Sequence, residues 1–95
     1  MRQRTRHLIA YDISDDRRRN RLAKLLLDYG DRVQHSVFEA DLSSQDVERI
    51  LRRAAKLVTD PDDSLRIYPL CAACFGAVRS LGREVPLDDS DLIII

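Results

Sequence analysis

The stretch Arg6-His7-Leu8-Ile9-Ala10-Tyr11-Asp12-Ile13-Ser14 decides how this chain folds. It is rich in β-branched and aromatic residues and too short for a helix, so it reads as a strand. Its apolar residues fall on both parities, which predicts a central strand covered on both faces. Asp12, near its end, is out of character for such a strand.

On the C-terminal side, Ser14 is placed to cap a helix, with Asp15 and Asp16 in a first turn where the helix dipole favours carboxylates. Leu22, Leu25, Leu26 and Tyr29 follow the i, i+3, i+4, i+7 rule, and Gly30 is expected to end the helix in the left-handed conformation. Arg17, Arg21 and Lys24 fall together on the face opposite this apolar stripe, and Arg19 lies at its flank.

Asp31 to Leu42 changes parity around His35 and Ser36, which predicts two short strands or one bulged strand. Ser43-Ser44-Gln45-Asp46 opens like a capping box, and Val47, Ile50, Leu51, Ala54, Leu57 and Val58 follow at helical spacing in a helix expected to stop before Pro61. Ser64 to Leu70 reads as a strand that Pro69 confines to an edge or an end. Phe75 to Leu81 has the composition of a further strand, 82–91 reads as a polar loop, and Leu92 to Ile95 as an apolar terminal strand that needs a sheet to join.

The order of these elements fits an α+β, ferredoxin-like βαββαβ arrangement with an extra C-terminal strand, two helices covering one face of an antiparallel sheet. The uncovered parity of the first strand asks for a second sheet, most economically from an identical subunit. At 95 residues the chain has room for one domain, 1–95. It is 44% apolar and 34% charged, too rich in core formers for a disordered chain. No apolar run reaches the length of a membrane span and the start does not read as a signal peptide, so a cytoplasmic protein is expected.

Sixteen basic and sixteen acidic residues cancel, but unevenly. Residues 1 to 30 hold eight basic groups against four acidic ones. This asymmetry points to a local site for an anion such as phosphate, or to a solvated arginine-rich face.

Asp12 ends a central strand beside a helix N-terminus and within reach of arginines. One carboxylate is few for magnesium, but two copies across a two-fold axis would make a site for a metal-assisted attack on a phosphodiester. From spacing alone, a carboxylate that pairs with an arginine or caps the following helix is the plainer reading. Cys71-Ala72-Ala73-Cys74 is half of a zinc site, which two chains would have to complete. Thioredoxin-like chemistry wants such a pair at the start of a helix with an activated thiol, and here it follows the strand end at Pro69-Leu70. Reduced structural thiols are the plainer reading. His7 and His35 read as packing or surface residues, and the scattered Gly30, Gly76 and Gly82 form no phosphate loop.

Tyr11-Asp12-Ile13-Ser14-Asp15-Asp16, the Arg19-Asn20-Arg21 triplet, Tyr29-Gly30, Arg32-Val33-Gln34-His35-Ser36-Val37-Phe38-Glu39 and Asp63 to Leu70 occur in the order seen in the small CRISPR-associated endoribonuclease family (Cas-two), which the chain resembles over nearly its whole length. The pair Cys71 and Cys74 and the apolar terminus are also similar to members of that family. The resemblance implies a homodimer of ferredoxin-like subunits with sheets packed face to face, the C-terminal segment of each completing the sheet of the other. It implies Asp12 as catalytic residue and as ligand for magnesium (Mg) or manganese (Mn), paired with its mate across the dimer. For substrate contact it implicates Tyr11, Arg19, Arg21, Arg32 and Phe38; Arg17, on the basic stripe, is a further candidate. The implied role is spacer acquisition, with the adaptation integrase (Cas-one) and duplex DNA or single-stranded RNA as partners. Either a magnesium-dependent endonuclease or a non-catalytic dimeric scaffold that holds duplex DNA would fit this reading.

Overall fold

A computed structural model of the chain describes residues 4–81. Its elements run β1 (Thr5–Asp12), α1 (Asp16–Leu27), β2 (Gly30–Gln34), β3 (Val37–Leu42), α2 (Ser44–Ala54), β4 (Ser64–Leu70) and α3 (Ala72–Gly76). The four strands form one antiparallel sheet in the order β2-β3-β1-β4. This is the ferredoxin-like order, with β1 central and the proline-bearing β4 at an edge, as the sequence predicts. The segment 82–95, with its expected loop and terminal strand, lies outside the described residues.

Alternation along β1 separates its two faces. His7, Ile9 and Tyr11 are buried beneath the helices, whereas Leu8 and Ala10 on the opposite face are half-buried and Asp12 is exposed. Register extends the division across the sheet: Ile9 stands opposite Phe38 and Ile67. Leu8, on the other face, stands opposite Glu39 and Tyr68. The core joins Ile9, Tyr11, Ile13 and Phe38 to Leu22, Leu25 and Leu26 of α1 and to Ile50 and Ala54 of α2. Each large side chain fully buried there contributes about 1.5–3 kcal/mol.

Several boundaries differ from expectation. Asp15, not Ser14, caps α1, accepting from the Arg18 N–H. Gly30 does not end the helix; it opens β2 opposite Ala40, where an added Cβ would clash with the Glu39 carbonyl and Ala40. A close strand approach, and not a left-handed cap, is what requires glycine there. The segment around His35 and Ser36 forms two strands and also a bulge: these two residues make the turn, and the ladder shifts between Arg32 and Gln34.

The capping box of α2 is present, with Ser43 and Asp46 bonded reciprocally. The helix stops at Ala54, short of Leu57 and Val58. The N–H groups of both these residues bond to the Ala54 carbonyl, at 2.8 and 3.1 Å, and the Leu57 carbonyl is taken by Arg18 at 2.8 Å. Phe75 to Leu81 is not a strand: Ala72–Gly76 is a short helix capped by Cys71. An apolar run this short carries no periodicity able to separate the two outcomes.

Candidate active site

Asp12 is the last residue of β1 and exposed. Among the described residues it joins no ion pair and caps no helix, so neither structural use of this carboxylate is realised. Around it, Tyr11, Ile13, Arg19, His35 and Ser36 line an open cleft.

Two independent pieces of fold build this cleft. From α1, Arg19 reaches back over the β1–α1 loop. Its Nη1 donates to the Ile13 carbonyl at 2.9 Å, and its other amino group pairs with Asp16. From the β2–β3 hairpin comes the turn of His35 and Ser36, held to β1 by the Tyr11 N–H donating to the Ser36 carbonyl at 3.1 Å. The Tyr11 hydroxyl and Arg32 Nε both donate to the His35 carbonyl, at 3.3 and 3.1 Å, and Arg32 Nη2 donates to the Tyr11 hydroxyl at 3.3 Å. The Arg32 guanidinium lies 5.7 Å from the Phe38 ring centre, and Phe38 lies 6.2 Å from Tyr11. Tyr11, Arg32 and Phe38 thus form one chain of contacts that positions the turn at the cleft; Phe38, expected as a substrate contact, is instead fully buried in the core on the helix side of the sheet and does not line the cleft.

The stripe expected on α1 is present on its solvent face. Arg17, Arg21 and Lys24 are exposed. Arg18 instead turns inward and ties α1 to the approach to β4, bonding Asp60 at 2.9 Å, the Leu57 carbonyl and Asp63. The Asp63 side chain is fully buried and also accepts from the Thr59 and Asp60 N–H groups. Arg18 first, then the Asp60 N–H, holds its carboxyl below the usual carboxylate range. This clamp fixes α1, and with it the start of the helix that carries Arg19. Arg17 and Arg21 are not brought to the Asp12 cleft, whose lining includes neither.

Sequence reasoning set His35 aside with His7. His7 is indeed a packing residue, buried and donating from Nδ1 to the Thr5 carbonyl at 2.7 Å. His35 is not equivalent: exposed at the hairpin turn, it joins Asp12 in the cleft with Ser36. The change of parity at these two residues marks the turn but not what it faces.

Residues 5–78 match the family model described as CRISPR associated protein Cas2. A relative from Chloroflexus aurantiacus, named a CRISPR-associated endoribonuclease Cas2, is 43% identical over 94% of this chain and 97% of its own length. The Streptococcus pyogenes Cas2 crystal structure superposes with a TM-score of 0.72 at 33% identity, covering 81% of this chain and 99% of that one. A chain from a partial Cas6-RT-Cas1–Cas2 complex superposes with a TM-score of 0.67 at 30% identity, covering 81% of this chain and 90% of that one.

Proposed function

Since the chain belongs to the CRISPR-associated Cas2 family, we propose that it is a cytoplasmic homodimeric endonuclease of spacer acquisition, cleaving RNA or DNA phosphodiesters at the cleft around Asp12. The observation that carries this reading is the convergence of Asp12, Arg19 and the His35-Ser36 turn from three separate elements on one open cleft. Relatives named endoribonucleases support the reaction class.

Asp12 presents the hard oxygen donor that Mg2+ or Mn2+ takes beside its waters and substrate phosphates. Among the described residues no group of three His, Cys, Asp or Glu side chains converges to hold an ion. The fit therefore rests on Asp12 with its mate from a second copy. When bound, such an ion neutralises phosphoryl charge and lowers the pKa of a water. The chain's own residues position the substrate: Arg19, held against Ile13, sets a cation beside Asp12 for a phosphate, and the Tyr11–Arg32 pair keeps the turn from closing the cleft. The half-buried face of β1 supports the dimer, since Leu8, Ala10 and Val37 lie on the side of the sheet away from the helices.

A second reading is a non-catalytic scaffold for duplex DNA and a Cas1 integrase. It is favoured by the exposure of Arg17, Arg21 and Lys24 outside the cleft and by the likeness to a chain of a Cas1-containing complex. Purified wild type and Asp12→Asn, assayed with Mg2+ on single-stranded RNA and duplex DNA alongside a binding measurement, separate the two. Cleavage abolished by the substitution with binding kept supports the enzyme. Duplex binding by a wild type that cleaves neither substrate supports the scaffold, and cleavage that survives Asp12→Asn removes Asp12 from the reaction.

A further inference from the structure

Cys71 and Cys74 lie at the end of β1 remote from Asp12. The register pairs Arg6 with Leu70, next to Cys71, and Asp12 with Ser64. Six residues of strand separate these ends by about 20 Å. Both thiols are free and exposed. Cys71 is extended and Cys74 helical, so the chain folds back within one turn and the Cys74 N–H donates to Cys71 Sγ at 3.3 Å. Cys71 also opens on a cleft, distinct from the Asp12 cleft, lined by Arg4, Arg6, Asp41, Leu70 and Phe75.

From this juxtaposition we propose that Cys71 and Cys74 form a redox-active dithiol, cycling between two thiols and an intrachain disulfide by exchange with small carboxylate-bearing disulfides of the glutathione type. The roles are unequal. The Cys74 N–H, then the Cys74 thiol, holds the Cys71 thiol below its ordinary range, and the same contact with Cys71 holds Cys74 above it. Cys71 is therefore the attacking thiolate and Cys74 the resolving thiol. In the first step the Cys71 thiolate attacks one sulfur of the small disulfide; an S–S bond forms to Cys71, the original S–S bond breaks, and one thiolate leaves. In the second, Cys74 loses its proton and attacks Cys71 Sγ, closing the intrachain disulfide and expelling the second thiolate. Two electrons pass from the protein to the small disulfide, which becomes two thiols. Arg4, paired with Asp46, and Arg6, paired with Asp41, both line the cleft, where the carboxylates of such a co-substrate would exchange with those partners. The ring would close where β4 gives way to α3, whose Phe75 packs 5.0 Å from the Arg6 guanidinium on β1.

The full chain, reduced, is equilibrated with mixtures of glutathione and its disulfide, quenched by alkylation, and read by intact mass and peptide mapping. Expected are a Cys71–Cys74 disulfide in the monomeric chain that reverses with added glutathione, and a stable glutathione adduct on Cys71 in Cys74→Ser. Cys71→Ser should form its adduct roughly tenfold more slowly, and the difference should vanish in denaturant. Equal thiol reactivity in the folded wild type, disulfides only between chains, or thiols protected from alkylation by co-purifying zinc would each overturn the proposal.

Discussion

Arg19 donates to the Ile13 carbonyl at 2.9 Å, which fixes a cation one residue beyond Asp12 although Arg19 belongs to a different element. The planar fork of arginine allows it to hold Ile13 and Asp16 together, which the ammonium of lysine cannot match. Arg19→Lys is therefore expected to keep the charge but lose the placement. If a charge-assisted bond of about 1.5–3 kcal/mol is lost in the transition state, the cleavage rate should fall by roughly ten- to a hundredfold. Affinity for nucleic acid should change little. Initial rates beside equilibrium binding check this; a wild-type rate would reduce Arg19 to a general positive charge.

Arg17 and Arg21 are exposed and lie outside the Asp12 cleft. Replacing both by Glu should weaken binding to duplex DNA and flatten the dependence of log Kd on log salt, because fewer counterions are displaced from phosphates. Titrations at several salt concentrations give the slope. An unchanged slope would make this face merely solvated.

The Arg18–Asp63 clamp should make stability acid-sensitive. Asp63 has a folded pKa depressed below the ordinary value. Its contribution is then fully present above the unfolded carboxylate pKa of about 4 and is lost as pH falls through the depressed folded value. Asp63→Asn should lower the urea midpoint at neutral pH, and the gap from wild type should narrow below that range. A gap constant with pH would show that the ion pair contributes nothing to folding.

Ser43, 2% exposed, caps α2 in a reciprocal box with Asp46. Ser43→Ala should cost about 1 kcal/mol in urea unfolding with an unchanged m-value. A change in m would mean that α2 frays in the native state.

Local signals carried the architecture. The short β-branched and aromatic run of β1, the 3.6-residue spacing of Leu22, Leu25 and Leu26, the box at Ser43 and the position of Pro69 each rest on neighbours within a few residues, so element order and sheet type were legible in the sequence. A resemblance built on the same chain added the family. Boundaries were less legible where a distant group takes part: α2 stops at Ala54, and in the turn beyond it the Leu57 carbonyl is taken by Arg18, 39 positions away in the chain.

Only the tertiary structure decided which side chains meet. Five consecutive positions of α1, 17–21, carry Arg17, Arg18, Arg19 and Arg21, and helical spacing sets only Arg19 apart from Arg17 and Arg21, without naming a partner for any of them. Packing turns Arg18 into a clamp, Arg19 into a neighbour of Asp12, and leaves the other two in solvent. His35 and Asp12 stand far apart in sequence, and it is the antiparallel pairing of β1 with β3 that brings the hairpin turn to the end of β1. Cys71 and Cys74 were legible as a pair, but the turn that brings the Cys74 N–H to the Cys71 sulfur follows from how the chain leaves β4. The physical reason is common to all three: periodicity reports which face of an element is buried, while the partner on that face depends on contacts between segments remote in sequence.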